Sequence, residues 1–157
     1  MDNDKDVIEA IERNGSTPDK LIEVLIDVQN HSGENYISEG KLRAVSDALR
    51  VPLGKAYGVA SFYSMLSTKK RGRYVIQVCN SVPCHIYRSM DIVKALEDVL
   101  QIKAGEVTPD GIFSLEYTDC IGNCAEPPSM KINDRVYGNL DYNKVVSIID
   151  SIRKEGV

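Results

Sequence analysis

The sequence predicts an α/β protein in two parts, an N-terminal helical bundle over residues 1–72 and an α/β domain over residues 73–157. Up to about Lys70, apolar residues recur at helical spacing between proline, serine and threonine start signals. After the short basic turn Lys69-Lys70-Arg71-Gly72-Arg73, the pattern changes to Tyr74-Val75-Ile76-Gln77-Val78, a compact β-rich run suited to a buried strand. Beyond it the order is strand, helix, strand, hairpin, helix, which calls for a sheet with helices packed on it.

The elements follow in order. The piece before Asn14 is expected to add a turn or two of weakly packed helix. Thr17-Pro18-Asp19 supplies an N-cap, a first-position proline and a first-turn acid, and Leu21, Leu25 and Val28 continue a helix to about His31. Ser38 caps a second helix with Leu42, Val45 and Leu49 on one stripe, stopped near Arg50 because Pro52 follows. A short helix from Pro52 carries Tyr57, Val59 and Phe62. After the first strand, Ile86, Met90, Val93, Leu96 and Leu100 form a helical stripe with Gly105 as a stop signal. The turn Pro109-Asp110-Gly111 leads to a strand in which Phe113, Leu115 and Tyr117 alternate with a wetter face of Ser114, Glu116 and Thr118. Met130-Lys131-Ile132 and Arg135-Val136-Tyr137 form a hairpin across Asn133-Asp134, and Asp141 caps a last helix that buries Val145, Ile148, Ile149 and Ile152.

With 157 residues, 43% of them apolar, the chain can build a real core. Its 19 Lys/Arg against 23 Asp/Glu leave a formal charge of −4, which disfavours a polyanionic partner. The start, Met1-Asp2-Asn3-Asp4-Lys5-Asp6, is the reverse of a basic signal region. No stretch approaches the roughly 18–20 apolar residues of a membrane span. A soluble, cytoplasmic protein with no membrane contact of its own is expected.

In a reducing compartment, four cysteines point to metal binding or redox chemistry rather than structural disulfides. Cys79 and Cys84 are separated by four residues, Cys120 and Cys124 by three, and the two pairs by 35. Cys79 ends the first strand and Cys84 lies in the loop before the helix; Cys120 ends the second strand's run and Cys124 lies in the loop before Pro127-Pro128. Adjacent loops at one sheet edge would bring the thiolates around one site. Zinc knuckles usually place two residues between ligands, whereas a 2Fe-2S centre puts two cysteines on each iron and tolerates looser loops. The spacing favours the cluster and leaves zinc and a redox disulfide as alternatives. Asn80-Ser81 and Gly122-Asn123 are small or polar, so their N–H groups can approach sulfur.

Val78-Cys79-Asn80-Ser81-Val82-Pro83-Cys84 and Tyr117-Thr118-Asp119-Cys120-Ile121-Gly122-Asn123-Cys124 resemble the thioredoxin-like 2Fe-2S ferredoxins, in the form of the small iron-sulfur subunit of the NADH dehydrogenase module of respiratory complex I. Tyr57 to Met65 is similar to the segment that precedes the first strand in that family, and the likeness runs over about residues 18–150. The resemblance implies a thioredoxin-like α/β domain over 73–157 that holds one 2Fe-2S cluster on Cys79, Cys84, Cys120 and Cys124, with no catalytic residue of its own. It also implies a cis bond at Pro127 or Pro128. Glu126 departs from the small or neutral residues usual at its position, and an acid there acts to lower the potential.

Related subunits serve complex I, NAD-dependent formate dehydrogenases and electron-bifurcating iron hydrogenases. The end of the chain soon after its last helix resembles the soluble bacterial enzymes, and the hydrogenase type is the expectation. FMN and NAD are expected in a flavin- and NAD-binding iron-sulfur partner subunit, because this chain has neither a G-x-G-x-x-G fingerprint nor a phosphate loop. A further catalytic subunit would complete the complex.

Plainer readings cover the remaining polar residues. His31 reads as a helix-end residue, His85 as a group beside the site or on the surface, and Asp110, Asp119 and Glu126 as loop and turn residues. Tyr57, Phe62 and Tyr63 read as core or subunit contacts, and Lys69–Arg73 as a solvated linker. The rival of another class is a redox-sensing regulator, because Leu42 to Ser61 has a helix-turn-helix rhythm. Ten Lys/Arg against eleven Asp/Glu in residues 1–72 and a lone Lys55 on the recognition helix argue against nucleic acid.

Overall fold

The computed structural model describes residues 2–33 and 35–155 and divides the chain into two compact units, 1–71 and 72–157. The first unit contains α1 (Asp2–Asn14), a 3-10 turn (Pro18–Lys20), α2 (Leu21–His31), α3 (Glu39–Ala48) and α4 (Leu53–Phe62). Its core gathers Val7 and Ala10 with Val24, Leu25, Val28, Leu42, Val45, Leu49, Ala56 and Ala60. The N-terminal segment is therefore a full 13-residue helix and not a loosely packed turn or two. Its apolar residues Val7, Ala10 and Ile11 share one face, and two ion pairs tie it down: Lys41 Nζ to Asp6 at 2.8 Å and Arg13 to Asp27 at 2.9 Å.

Thr17 does not cap by its side chain, and the α-helix proper starts only at Leu21. Ser38 does cap, its Oγ accepting from the Lys41 N–H at 3.3 Å. Pro52 stands at the N-cap of α4. Outward on α4, Tyr57 and Phe62 are 55% and 80% exposed, which removes the core reading for both.

The second unit holds β1 (Tyr74–Cys79), α5 (Val82–Ile86), α6 (Ser89–Leu100), β2 (Phe113–Thr118), β3 (Met130–Ile132), β4 (Arg135–Tyr137) and α7 (Tyr142–Glu155). The sheet order is β2-β1-β3-β4, with β1 parallel to β2 and antiparallel to β3. Ile76, Val78, Phe113, Leu115, Met130 and Ile132 pack with Val93 and Leu96 of α6 and Val145 and Ile149 of α7. The Asp141 carboxylate caps α7 through the Lys144 N–H at 2.8 Å.

Three details differ from expectation. Arg88 adopts a left-handed φ of 64°, so Ile86 belongs to the separate short α5 and is exposed, and α6 begins at Ser89. The end of α6 is set by Gln101 at φ 56°, ahead of Gly105. Ser114 is buried because Val107 bridges to it across the edge of β2, whereas Tyr117 is 45% exposed. Lys69, Lys70 and Arg73 are exposed, in keeping with a solvated linker, and Arg73 lies 5.7 Å over the Tyr74 ring. No helix among the described residues is long and apolar enough to cross a membrane.

Candidate metal centre

The topology places both cysteine segments at one end of the sheet. Because β1 and β2 run parallel in the register Cys79 to Thr118, their C-terminal ends coincide, and β3, antiparallel to β1, starts at that same end. The loop from Asp119 through Pro128 to Ser129 is thus returned to the end of β1 that carries Cys79. The Pro127–Pro128 bond in this loop is cis, as the resemblance implies.

Within this end the thiols form two pairs. Cys79 and Cys84 are buried and influence each other's titration; Cys120 and Cys124 are exposed, with their sulfurs 3.3 Å apart. Cys84 lies inside α5 rather than in a loop, because Ser81-Val82-Pro83 is an extended residue followed by a proline-led helical turn. Cys120 sits two residues beyond the last residue of β2. Among the described residues no three His, Cys, Asp or Glu side chains converge on one metal-ion position, so the arrangement is pairwise.

Donors surround the buried pair. Burial pushes the Cys79 thiol up, but the N–H and hydroxyl of Ser81, the Cys84 thiol and the N–H of Ile121 outweigh it and hold it below the usual thiol range. Burial and the Cys79 thiol push Cys84 up, opposed by the N–H of Ser129. The hydrogen bond to Cys120 and its charge push Cys124 up, and Cys79 adds to this. The Gly122 N–H lies 3.4 Å from the Cys120 sulfur. Ile121 belongs to the opposite loop, and Cys124 acts on Cys84 through its charge, so each pair influences the other.

These thiols and amides fit a 2Fe-2S cluster: two thiols are available for each of two irons, and N–H donors stand ready for negative sulfur. One tetrahedral ion would need all four sulfurs drawn to a single point. His85 is exposed on α5, and His31 bonds Asp27 at 2.6 Å in the helical unit, so neither completes the site. Glu126 is exposed, and Asp110 ends a turn by accepting from Thr108 Oγ1 and the Ile112 N–H. Sequence reasoning missed Ser129, whose only signal is its position directly after the two prolines.

The fold and the paired thiols together define a thiol-rich α/β domain built to hold an iron-sulfur centre. The chain belongs to the thioredoxin-like 2Fe-2S ferredoxin family, whose profile matches residues 7–153, and the cofactor of that family is a 2Fe-2S cluster. The E subunit of NADH-quinone oxidoreductase from Aquifex aeolicus is 38% identical over 126 residues, which cover 78% of each chain. The HndA subunit of the NADP-reducing hydrogenase from Solidesulfovibrio fructosivorans is 34% identical over 145 residues, covering 92% of this chain and 84% of that one. Among solved structures, an air-oxidised NAD+-reducing NiFe-hydrogenase superposes with a TM-score of 0.75 at 23% identity, a likeness of fold. There the match covers 87% of this chain and 23% of the hydrogenase chain.

Proposed function

We propose that this chain is an electron-transfer subunit that holds one 2Fe-2S cluster on Cys79, Cys84, Cys120 and Cys124. It would exchange single electrons with FMN in a partner subunit that also binds NAD(H), within a cytoplasmic oxidoreductase complex. When bound, the cluster supplies one-electron chemistry, which lets a flavin divide the two electrons of a hydride. The chain's own residues provide the thiolates, the N–H donors of Ser81, Ile121 and Ser129, and burial of one pair. These are the terms by which a protein sets a cluster's potential. The exposed Cys120–Cys124 side is the side from which a redox partner can approach. On the helical unit, α4 presents Tyr57 and Phe62 outward with Lys55 as its sole charge, a surface suited to subunit docking.

The observation that carries this reading is the sheet register, which aligns the C-terminal ends of β1 and β2 and so returns both cysteine segments to one end of the sheet. A multimeric, electron-bifurcating hydrogenase is the preferred setting; the relative named as a hydrogenase subunit aligns with 92% of this chain, against 78% for the NADH-quinone oxidoreductase relative from Aquifex aeolicus. The higher identity of the latter, 38% against 34%, favours complex I as the second setting.

Iron, acid-labile sulfide and zinc analysis of anaerobically purified protein tests the cofactor, with visible and electron paramagnetic resonance spectra before and after dithionite. About two irons and two sulfides per chain, with a paramagnetic signal on reduction, are expected for such a centre. One zinc without colour would sink the reading. Hydrogen-dependent NAD(P) reduction, as against quinone-dependent NADH oxidation, by the co-purified complex then separates the two settings.

A further inference from the structure

Ser129 touches both halves of the thiol site with different groups. It is completely buried and is the first residue after Pro127 and Pro128, which have no N–H to offer. Its own N–H is turned toward Cys84, whose thiol it favours in the charged form. Its carbonyl accepts from the Cys79 N–H at 3.1 Å, carrying the β1–β3 pairing one step beyond Val78 and Met130. The hydroxyl turns back into the Cys124 loop: Oγ donates to the Glu126 carbonyl at 2.8 Å, lies 3.3 Å from the Asn123 carbonyl, and accepts from Asn123 Nδ2 at 3.2 Å. Asn123 and Glu126 flank Cys124 on either side.

Any residue with a free amide could make the first two contacts; the third needs a short side chain that both donates and accepts. We propose that Ser129 is the positioning residue that holds the Cys124 loop in register with Cys79 and Cys84, fixing the geometry in which the two thiol pairs meet the cluster. This rests on the four-cysteine reading above. A plain structural hydroxyl is available for contrast: Ser46, also buried, in the helical unit, donates to the Val51 carbonyl at 2.6 Å and approaches no thiol.

The test uses the iron-loaded full chain as wild type, Ser129→Ala, Asn123→Ala and Ser46→Ala. Two readouts are taken: the rate of cluster loss to an excess of chelator, and the paramagnetic resonance signal after dithionite. Ser129→Ala is expected to lose its cluster about 10-fold or more faster, in line with the effect of removing groups that support metal ligands, and to show shifted g values. Asn123→Ala, which keeps the hydroxyl but removes its donor, shifts both readouts less and in the same direction. Ser46→Ala lowers thermal stability and leaves both unchanged. A Ser129→Ala protein with wild-type release and spectrum overturns the proposal; should that variant fail to fold, wild-type behaviour of Asn123→Ala does the same. Wild-type protein without iron and sulfide would instead remove the four-cysteine reading, and this inference with it.

Discussion

Replacing Gly138 by alanine places a methyl group where the Cys124 loop already stands. A Cβ at this position would lie 2.5 Å from Asn123 Nδ2, 2.6 Å from the Glu126 Cβ and 2.8 Å from the Glu126 carbonyl oxygen. Carbon atoms rest at about 3.5–4.0 Å, so Glu126 has to retreat by about 1 Å. It is held against such a retreat: its carbonyl accepts from Asn139 N–H and from Ser129 Oγ, both at 2.8 Å, and its N–H donates to the Asn123 carbonyl at 3.1 Å. Overpacking of this kind costs about 1–3 kcal/mol, and a weakened buried hydrogen bond adds about 1 kcal/mol. The expected total is about 2–3 kcal/mol. In a unit of this size that corresponds to a fall in Tm of about 10–20 °C. Thermal unfolding of the iron-loaded protein, followed by circular dichroism and by bleaching of the visible band, measures both fold and cluster. A transition within about 3 °C of wild type, less than about 1 kcal/mol at this size, would refute the packing argument. Wild-type bleaching despite a large fall in Tm would show that Gly138 supports the fold and not the site.

Four further outcomes are expected. Cys79→Ala or Cys124→Ala abolishes the visible and paramagnetic spectra, whereas His85→Ala, on the exposed face of α5, leaves them nearly intact; loss of the spectrum in the His85 variant would mean a different ligand set. Gly58→Ala, with open space around its Cβ in α4, stabilises the helical unit by about 0.5–1 kcal/mol in urea titration. Should α4 dock the flavoprotein subunit, the same substitution weakens recovery of the complex. Asp27→Ala destabilises the helical unit by about 1 kcal/mol, a modest value because the Arg13 side of the pair is well exposed. The Asp27 carboxyl is held below its ordinary range by Arg13 first, and also by Asn14 and His31. Its stabilisation is therefore present above the unfolded value of about 3.9 and is lost as pH falls through the lower folded value; acid titration of the variant should lack that step.

Much of this molecule was legible because its signals are local. Pro52, Ser38 and Asp141 mark helix starts by the conformations and hydrogen bonds they favour, and the structure places starts at Leu53, Glu39 and Tyr142. Asn133-Asp134 marked the hairpin, which pairs Met130–Ile132 with Arg135–Tyr137. Where local signals misled, long-range packing had intervened: α1 is extended by what its apolar face finds in α2 and α3, and Ser114 is buried by a bridge from Val107. The short α5 escaped notice because Ile86 continues the apolar stripe of α6 in sequence, and only the left-handed Arg88 separates them.

The site divides along the same line. Cysteine spacing is a sequence property, and so the candidate residues could be named at once. What brings the two cysteine segments to one end of the sheet is strand register: parallel pairing aligns Cys79 with Thr118 and so sets the Cys120 loop beside the end of β1, while antiparallel pairing of β1 with β3 brings the Ser129 carbonyl to the Cys79 N–H. A slip of one residue in either pairing would turn alternate side chains to the opposite face and withdraw these backbone groups. Backbone donors carry no side-chain identity to betray them. Ser129 is the exception, since its hydroxyl does show in the sequence, and its meaning emerges only when the loop through Pro127 and Pro128 returns it to the end of β1. The electrostatic environment of the thiols thus depends on strand pairing as much as on the residues next to the cysteines, and substitutions at Gly138 and Ser129 should perturb the centre without touching a sulfur ligand.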